Sequence, residues 1–294
     1  MKILVTGVKG QLGFDLVNEL NKRGQEAVGV DIEEMDVTVP SSVDSVIRRI
    51  HPDTVVHCAA WTAVDAAEEE ENREKVHQVN GLGTEYIAQT CKDLGIRMMY
   101  ISTDYVFDGQ GSTPWKPDCK DYQPLNVYGK TKLEGELAVS RNLEQFFIVR
   151  IAWVFGKNGN NFIKTMLKIG KNHSRLTVVN DQIGTPTYTF DLARLLADML
   201  ETDRYGYYHA TNEGGYISWY DFAREIFSQA VQMGHEEYSP EHLELVPVTT
   251  AQYGISKAAR PFNSRLDRSK LAENGFTPLP DWKDALRRYL QDIL

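Results

Sequence analysis

Cysteine is scarce in this chain. The three present, Cys58, Cys91 and Cys119, are an odd number, and none forms a Cys-x-x-Cys pair. Neither a disulfide framework nor a zinc site is expected, and a reducing cytoplasm is the expected compartment. Long apolar runs are missing too. No stretch approaches the roughly 18 to 20 residues that a membrane-spanning helix needs. The first apolar run, Ile3-Leu4-Val5, is too short for a signal peptide and leads straight into a glycine cluster. Positive charge is in deficit, with 32 Lys and Arg against 41 Asp and Glu and a formal net charge of -9. A nucleic-acid binder wants a basic face, so no nucleic-acid partner is expected. An anionic small substrate remains compatible, because a local Arg or Lys pocket can sit in an acidic protein. There is no internal repeat and no low-complexity tract. The 294 residues fit one large α/β unit or two lobes.

What is there is an alternation of short apolar runs with helical patterns. Ile3 to Val5 reads as a strand buried on both faces. Gly7, Gly10, Gln11, Leu12 and Gly13 follow at once, and Leu12, Leu16 and Leu20 then recur at helical spacing. Glycines between a strand and a helix let the backbone turn tightly and let a pyrophosphate approach the helix N-terminus. Ala27 to Asp31 reads as a second strand ending in a carboxylate, about 20 residues beyond the glycines, where an acid can bind an adenosine ribose hydroxyl. Asp36 and Val37 fall in the loop near the adenine end. Ser41-Ser42 is the expected cap of the next helix. Residues 53 to 58 form a third strand, and Ala59, Ala60 and Trp61 leave it as small-residue backbone beside the cofactor. His57 reads as a packed core histidine, and the acidic run Glu68 to Glu71 as a solvated helix start. Val76 to Ile87 mark a long buried helix in which Asn80 is a polar intrusion, expected to meet backbone or ligand.

A fourth strand, Arg97 to Ile101, leads to Thr103. A helix over 126–141 follows, with Leu133, Leu137 and Val139 as its apolar positions, and then a fifth strand over 146–151. The fold class is therefore α/β, a Rossmann-type doubly wound parallel sheet with a smaller C-terminal substrate-binding lobe. The expected division is 1–155 for the NAD(P)-binding domain and 156–294 for the substrate lobe, with the chain interleaving between them. From about Gly206 the segments look short and irregular.

Tyr128 and Lys132 are four apart, so in a helix they share one face. A free phenol has a pKa of about 10, and a neighbouring ammonium favours its ionised form. With the Thr103 hydroxyl at the strand end, the three make a candidate group for protonating an alkoxide as hydride arrives at carbon. The glycine turn, Asp31, Ala59-Ala60 and Thr103 all fall at carboxyl ends of strands, where such sheets bind ligands.

These motifs together resemble the extended short-chain dehydrogenase/reductase superfamily. Closer in, Gly10 to Gly13, Ala59 to Asp65, Ser102 to Gly109, Tyr128 to Lys132, Trp153 to Gly156, Gly184 to Thr187 and Arg260 to Ser264 resemble the dTDP-4-dehydrorhamnose reductase family, in the same order along nearly the whole chain. The resemblance implies NADH or NADPH as cofactor and a dTDP-sugar as substrate. It implies Tyr128 as proton donor, Lys132 as the residue that lowers its pKa and holds the nicotinamide ribose, and Thr103 on the sugar oxygen. Tyr128 and Lys132 thus count among the cofactor residues with Asn80. Asp104, Trp153, Arg260 and Asn263 are implied in the substrate pocket. Some family members dimerise around magnesium held by glutamates. The matching positions here are Asp15, Phe190 and Asp292, and Phe190 has no oxygen to offer, so no metal is expected and the chain is a monomer or homodimer. Two alternatives stay open: an epimerase or dehydratase of the same fold, and a non-catalytic relative such as the regulatory β subunit of methionine adenosyltransferase.

Overall fold

The computed structural model describes residues 1–254 and 256–294. Its first half alternates as β1 (Lys2–Thr6), α1 (Gln11–Lys22), β2 (Glu26–Val30), α2 (Pro40–Ile50), β3 (Thr54–His57), α3 (Val64–Ala67), α4 (Glu70–His77), α5 (Gly83–Leu94), β4 (Arg97–Thr103), α6 (Val127–Asn142) and β5 (Phe146–Ile151). Then come β6 (Val154–Phe155), α7 (Phe162–Gly170), β7 (Arg175–Val179), β8 (Ile183–Gly184), β9 (Thr187–Tyr188), α8 (Thr189–Leu200) and β10 (Gly206–His209). Six of the strands make one parallel sheet, ordered β10-β5-β4-β3-β1-β2. The chain leaves β1 toward β2 and returns to the other side of β1 for β3. The crevice between those carboxyl ends is the switch point at which such sheets hold nucleotides.

Burial on both faces explains the apolar runs. Ile3 and Val5 pack with Leu12, Leu16 and Leu20 of α1 and Leu192 and Leu196 of α8. Leu4 points the other way, into Val43, Ile47, Ile87 and Tyr100. A second core joins Phe155, Ile163, Phe222, Phe227, Leu286 and Tyr289, between α7 and the helices Trp219–Gln232 and Trp282–Ile293. Among the described residues, no helix is long and apolar enough to cross a membrane.

Four expectations change. Ser41-Ser42 does not cap α2. The helix starts one residue earlier, at Pro40, whose fixed φ suits a first turn, while the Ser42 hydroxyl accepts the Asp36 N–H. The buried helix over 70–94 is not regular, since Gln78–Leu82 forms a π-turn between α4 and α5. Leu137 is exposed, because the face of α6 turned to the sheet carries Gly129, Lys132, Gly135, Glu136 and Val139 instead. Glu136 is buried there because Arg150 of β5 meets both its carboxylate oxygens, at 2.8 and 2.7 Å. Finally, Gly206–His209 is no irregular tail but the sixth strand, in parallel register with β5, and Glu244–Val248 is a strand paired with β7.

Candidate active site

The glycine turn is built from contacts that exclude a side chain. Gly7 has φ +69°, and a Cβ on it would sit 2.8 Å from the Ala59 backbone. A Cβ on Gly13 would strike the Gly7 carbonyl. Gly10 precedes α1 with no side-chain cap. The first N–H groups of α1, starting at Gln11, lack the helical carbonyl partners that later residues have, and the helix dipole adds positive character there. This cradle fits a pyrophosphate. The Leu12 side chain is buried in the core, so it serves the cradle through its backbone. The Gln11 side-chain amide oxygen, Oε1, accepts from Asn161 at 3.1 Å. Asp31 stands just past β2, where its carboxylate accepts the backbone N–H of Lys9 and of Ile32, both at 2.9 Å. Lys9 itself is paired with Glu33 at 2.6 Å. The Asp36 carboxylate closes its own turn on the Thr38 N–H and hydroxyl, beside Val37.

Beyond β3, Ala59 donates its N–H to the Thr6 hydroxyl. Asn80 clamps Trp61, accepting its N–H at 2.8 Å and donating to its carbonyl at 3.2 Å, and also donates to Thr131. Asn80 is a buried strut here, with both its amide hydrogens used within the protein. It lies in the π-turn, whose extra residue brings it under the loop. His57 is a core residue between the hydroxyls of Thr6 and Thr84, and burial pulls its pKa down to about 3.

Thr103 ends β4. Its hydroxyl donates to Asp104 at 3.0 Å and accepts the Tyr105 N–H at 3.2 Å. Tyr128 faces it from the first turn of α6. Burial raises the Tyr128 phenol above its ordinary value, Thr103 opposing the shift and Asp104 adding to it. One turn on, the Lys132 ammonium donates to the Ile101 carbonyl at 2.7 Å and lies 4.1 Å from the Tyr100 ring centroid. Burial pulls its own pKa down to about 7, against the pull of Glu136.

Asp104 is buried with one oxygen unpartnered, and the buried Ser102 hydroxyl beside it has no partner either. Burial pushes the Asp104 carboxyl up to about 6, opposed by the nearby Ser264 and Thr103 hydroxyls. Trp153 takes a φ of +51°, stacks on Trp219 at 3.8 Å and covers Gly184, where a Cβ would come within 2.9 Å of its ring. Such a backbone conformation is costly for a bulky residue and persists where surroundings hold it. Arg260 is bidentate on Asp65, at 3.1 and 2.7 Å. Asn263 has its side chain fully engaged within the protein. It is buried, donates to the carbonyls of Gln110 and Thr113 and accepts from Arg265, so it ties two loops together.

Sequence reasoning missed the supports. Asn126 caps α6 by accepting the Gly129 N–H at 2.7 Å. Glu68 accepts the Val127 N–H at 2.7 Å, so the acidic run is more than a solvated face. An Asn just before a helical pattern was a usable signal for the first, whereas nothing local marks the second.

A family model described as the RmlD substrate binding domain matches residues 1–294. A dTDP-4-dehydrorhamnose reductase from Aggregatibacter actinomycetemcomitans is 40% identical, with 97% of each chain covered. The crystal structure of a dTDP-4-dehydrorhamnose reductase from Clostridium acetobutylicum superposes with a TM-score of 0.92 at 38% identity, covering 100% of this chain and 99% of that one. The Bacillus anthracis reductase, solved in complex with NADP, gives 0.90 at 37% identity, covering 99% and 100%. With its glycine cradle, its strand-end threonine and its Tyr128–Lys132 helix, this chain belongs to the dTDP-4-dehydrorhamnose reductase family.

Proposed function

We infer that this chain reduces the C4 keto group of dTDP-4-dehydro-L-rhamnose to dTDP-L-rhamnose with NADH or NADPH, in nucleotide-sugar supply for cell-surface polysaccharide. One observation carries the chemistry. A phenol kept neutral by burial, Tyr128, stands beside the Thr103 hydroxyl at the rim that also holds the glycine cradle. The reduced nicotinamide, when bound, supplies the hydride. As the carbonyl carbon takes that hydride, the carbon–oxygen π pair moves to oxygen, and Tyr128 gives its proton there. Thr103 orients the same oxygen. Lys132, anchored on Ile101, places a buried positive charge near the developing phenolate and the nicotinamide ribose. Solvent then reprotonates Tyr128. The cradle residues Gly7 to Gly13, with Asp31, Ala59, Ala60 and Trp61, hold the dinucleotide in residues 1–155. Residues 156–294 hold the sugar nucleotide, with Asp104, Trp153 and Arg260 facing it. The protein works in the cytoplasm as a monomer or homodimer.

A dehydratase would need a base for a carbon acid, whereas an epimerase would return its hydride and consume no cofactor. At the position after Asp104 this chain has Tyr105, whose phenol burial raises above its ordinary value. A neutral phenol is a poor base near neutral pH. The intact Thr103, Tyr128 and Lys132 weigh against a purely regulatory role. The test is reduced-nicotinamide absorbance with dTDP-4-dehydro-L-rhamnose and, separately, dTDP-glucose. One equivalent oxidised per sugar with the first and none with the second supports the reductase. Conversion of the keto sugar without cofactor loss, or turnover of dTDP-glucose, overturns it.

A further inference from the structure

Asp65 receives four hydrogen bonds, and all come from one stretch of chain. Its Oδ1 accepts from the Ser256 hydroxyl at 3.2 Å, the Ala258 N–H at 3.0 Å and Arg260 Nη1 at 3.1 Å, and its Oδ2 accepts from Arg260 Nη2 at 2.7 Å. Four residues on, Glu69 holds the Lys257 ammonium at 2.7 Å. Residues 256–260 are therefore strapped to the α3 region. The strap continues across the site's rim. Its Ala259 carbonyl accepts from Asn126 at 2.8 Å, and Pro261 packs on Gly109, whose carbonyl accepts the Asn263 N–H at 2.8 Å. Asp65 and Arg260 both act electrostatically on the phenol of Tyr105, whose ring meets the Tyr128 ring edge-on at 5.6 Å.

Magnitudes separate two uses of this arrangement. The Asp65 side chain is 44% exposed and that of Arg260 27%. A salt bridge at such exposure contributes about 0 to 1 kcal/mol to stability. Global folding therefore does not rest on it. What four converging bonds do accomplish is to fix a loop and the direction of one guanidinium. Removing Asp65 leaves α6 in place, because its first turn has its own anchors in Glu68 and Asn126.

We propose that Asp65 is a positioning residue for the reaction: it fixes the 256–260 strap across the mouth of the site and aims Arg260 at the anionic diphosphate of the sugar nucleotide. The role rests on the reductase reading given above. Asp65 touches neither the cofactor nor the reacting carbon. Its effect runs through Arg260, so it belongs to substrate capture and leaves the hydride and proton steps alone.

The test compares wild type with Asp65→Asn, which keeps the shape and loses the charge, and Asp65→Ala, which loses every bond. Limited trypsin digestion of the full chain should cut after Lys257 at least fivefold faster in both variants. KM for the 4-keto sugar nucleotide should rise tenfold or more, with kcat within threefold and the NADH dissociation constant, read by nicotinamide fluorescence, within twofold. Asp65→Ala combined with Arg260→Gln should raise KM no further than Arg260→Gln alone, since coupled residues are not additive. Unchanged cleavage after Lys257, or faster cleavage with KM within twofold of wild type, overturns the proposal. Should wild type fail to oxidise reduced nicotinamide with the keto sugar, the reductase reading falls. Thymidine diphosphate then serves as the probe: slower cleavage after Lys257 in wild type but not in Asp65→Ala sustains the strap, and no slowing in either sinks it.

Discussion

The Lys132 ammonium donates to the main-chain carbonyl of Ile101 at 2.7 Å, tying α6 to the end of β4. An ammonium so buried is costly, and its pKa near 7 records that cost. An unfolded Lys titrates near 10.5. Between those values the unfolded chain holds more protons, so wild type gains stability as pH rises through about 7 to 10.5. The penalty is fully present below that window. Lys132→Met should therefore melt as high as wild type or a few degrees higher at pH 6, with the advantage shrinking by pH 10, while losing turnover and weakening cofactor binding. Thermal melts at the two pH values check it. A fall of more than about 5 °C at pH 6, the equivalent of roughly 3 kcal/mol in a chain this long, would count against it.

Tyr128→Phe keeps the ring that packs on Tyr105 and removes only the hydroxyl. The variant should fold and bind NADH as wild type does, with kcat lower by about 10² to 10⁴, the contribution of a positioned acid. Steady-state rates within threefold of wild type would be incompatible with a proton donor at this position.

Asp104 carries the opposite sign from most carboxylates. Its folded value, about 6, lies above the ordinary 3.8. The stability that goes with its protonated form is complete below about pH 4 and lost as pH rises through 6. The lost share is on the order of 3 kcal/mol or less. Asp104→Asn should flatten this slope and melt higher than wild type at pH 7. Parallel pH–stability curves for the two proteins would refute it.

The acids beside Asp31 bear on which cofactor the chain should prefer. Asp31, Glu33 and Glu34 surround one Lys, and that Lys9 is already paired with Glu33. A 2′-phosphate brings more negative charge to this place. NADH should thus serve at least as well as NADPH by kcat/KM, and Asp31→Ala should narrow the difference. A tenfold preference of wild type for NADPH would contradict the argument.

The parts of the site legible in the sequence are those written in local spacing. The glycine turn shows because a strand, three glycines and a helix follow one another within a few residues. Tyr128 and Lys132 show because a helix turns every 3.6 residues. What spacing could not give was the partner across the fold: the Lys132 ammonium bonds the Ile101 carbonyl of β4. Leu137 failed for a related reason, the inner face of α6 being occupied by Lys132 and Glu136 with partners on other elements. The roles of Asp65, Arg260 and Asn263 depend on segments far apart in the chain and left no periodic trace. Gly206–His209 hid because four residues with two tyrosines and a glycine read as loop, and only the exposed edge of β5 makes them a strand.

That edge strand has a consequence for synthesis. A ribosome delivers β5 long before it delivers residues 206–209, so the growing chain carries an open strand edge, a template for pairing with other chains, until the later segment arrives. A fragment ending near residue 155 keeps that edge open permanently. Such a fragment, expressed alone, should aggregate more readily than one reaching past His209, in which the four-residue β10 covers β5 and leaves only a short edge.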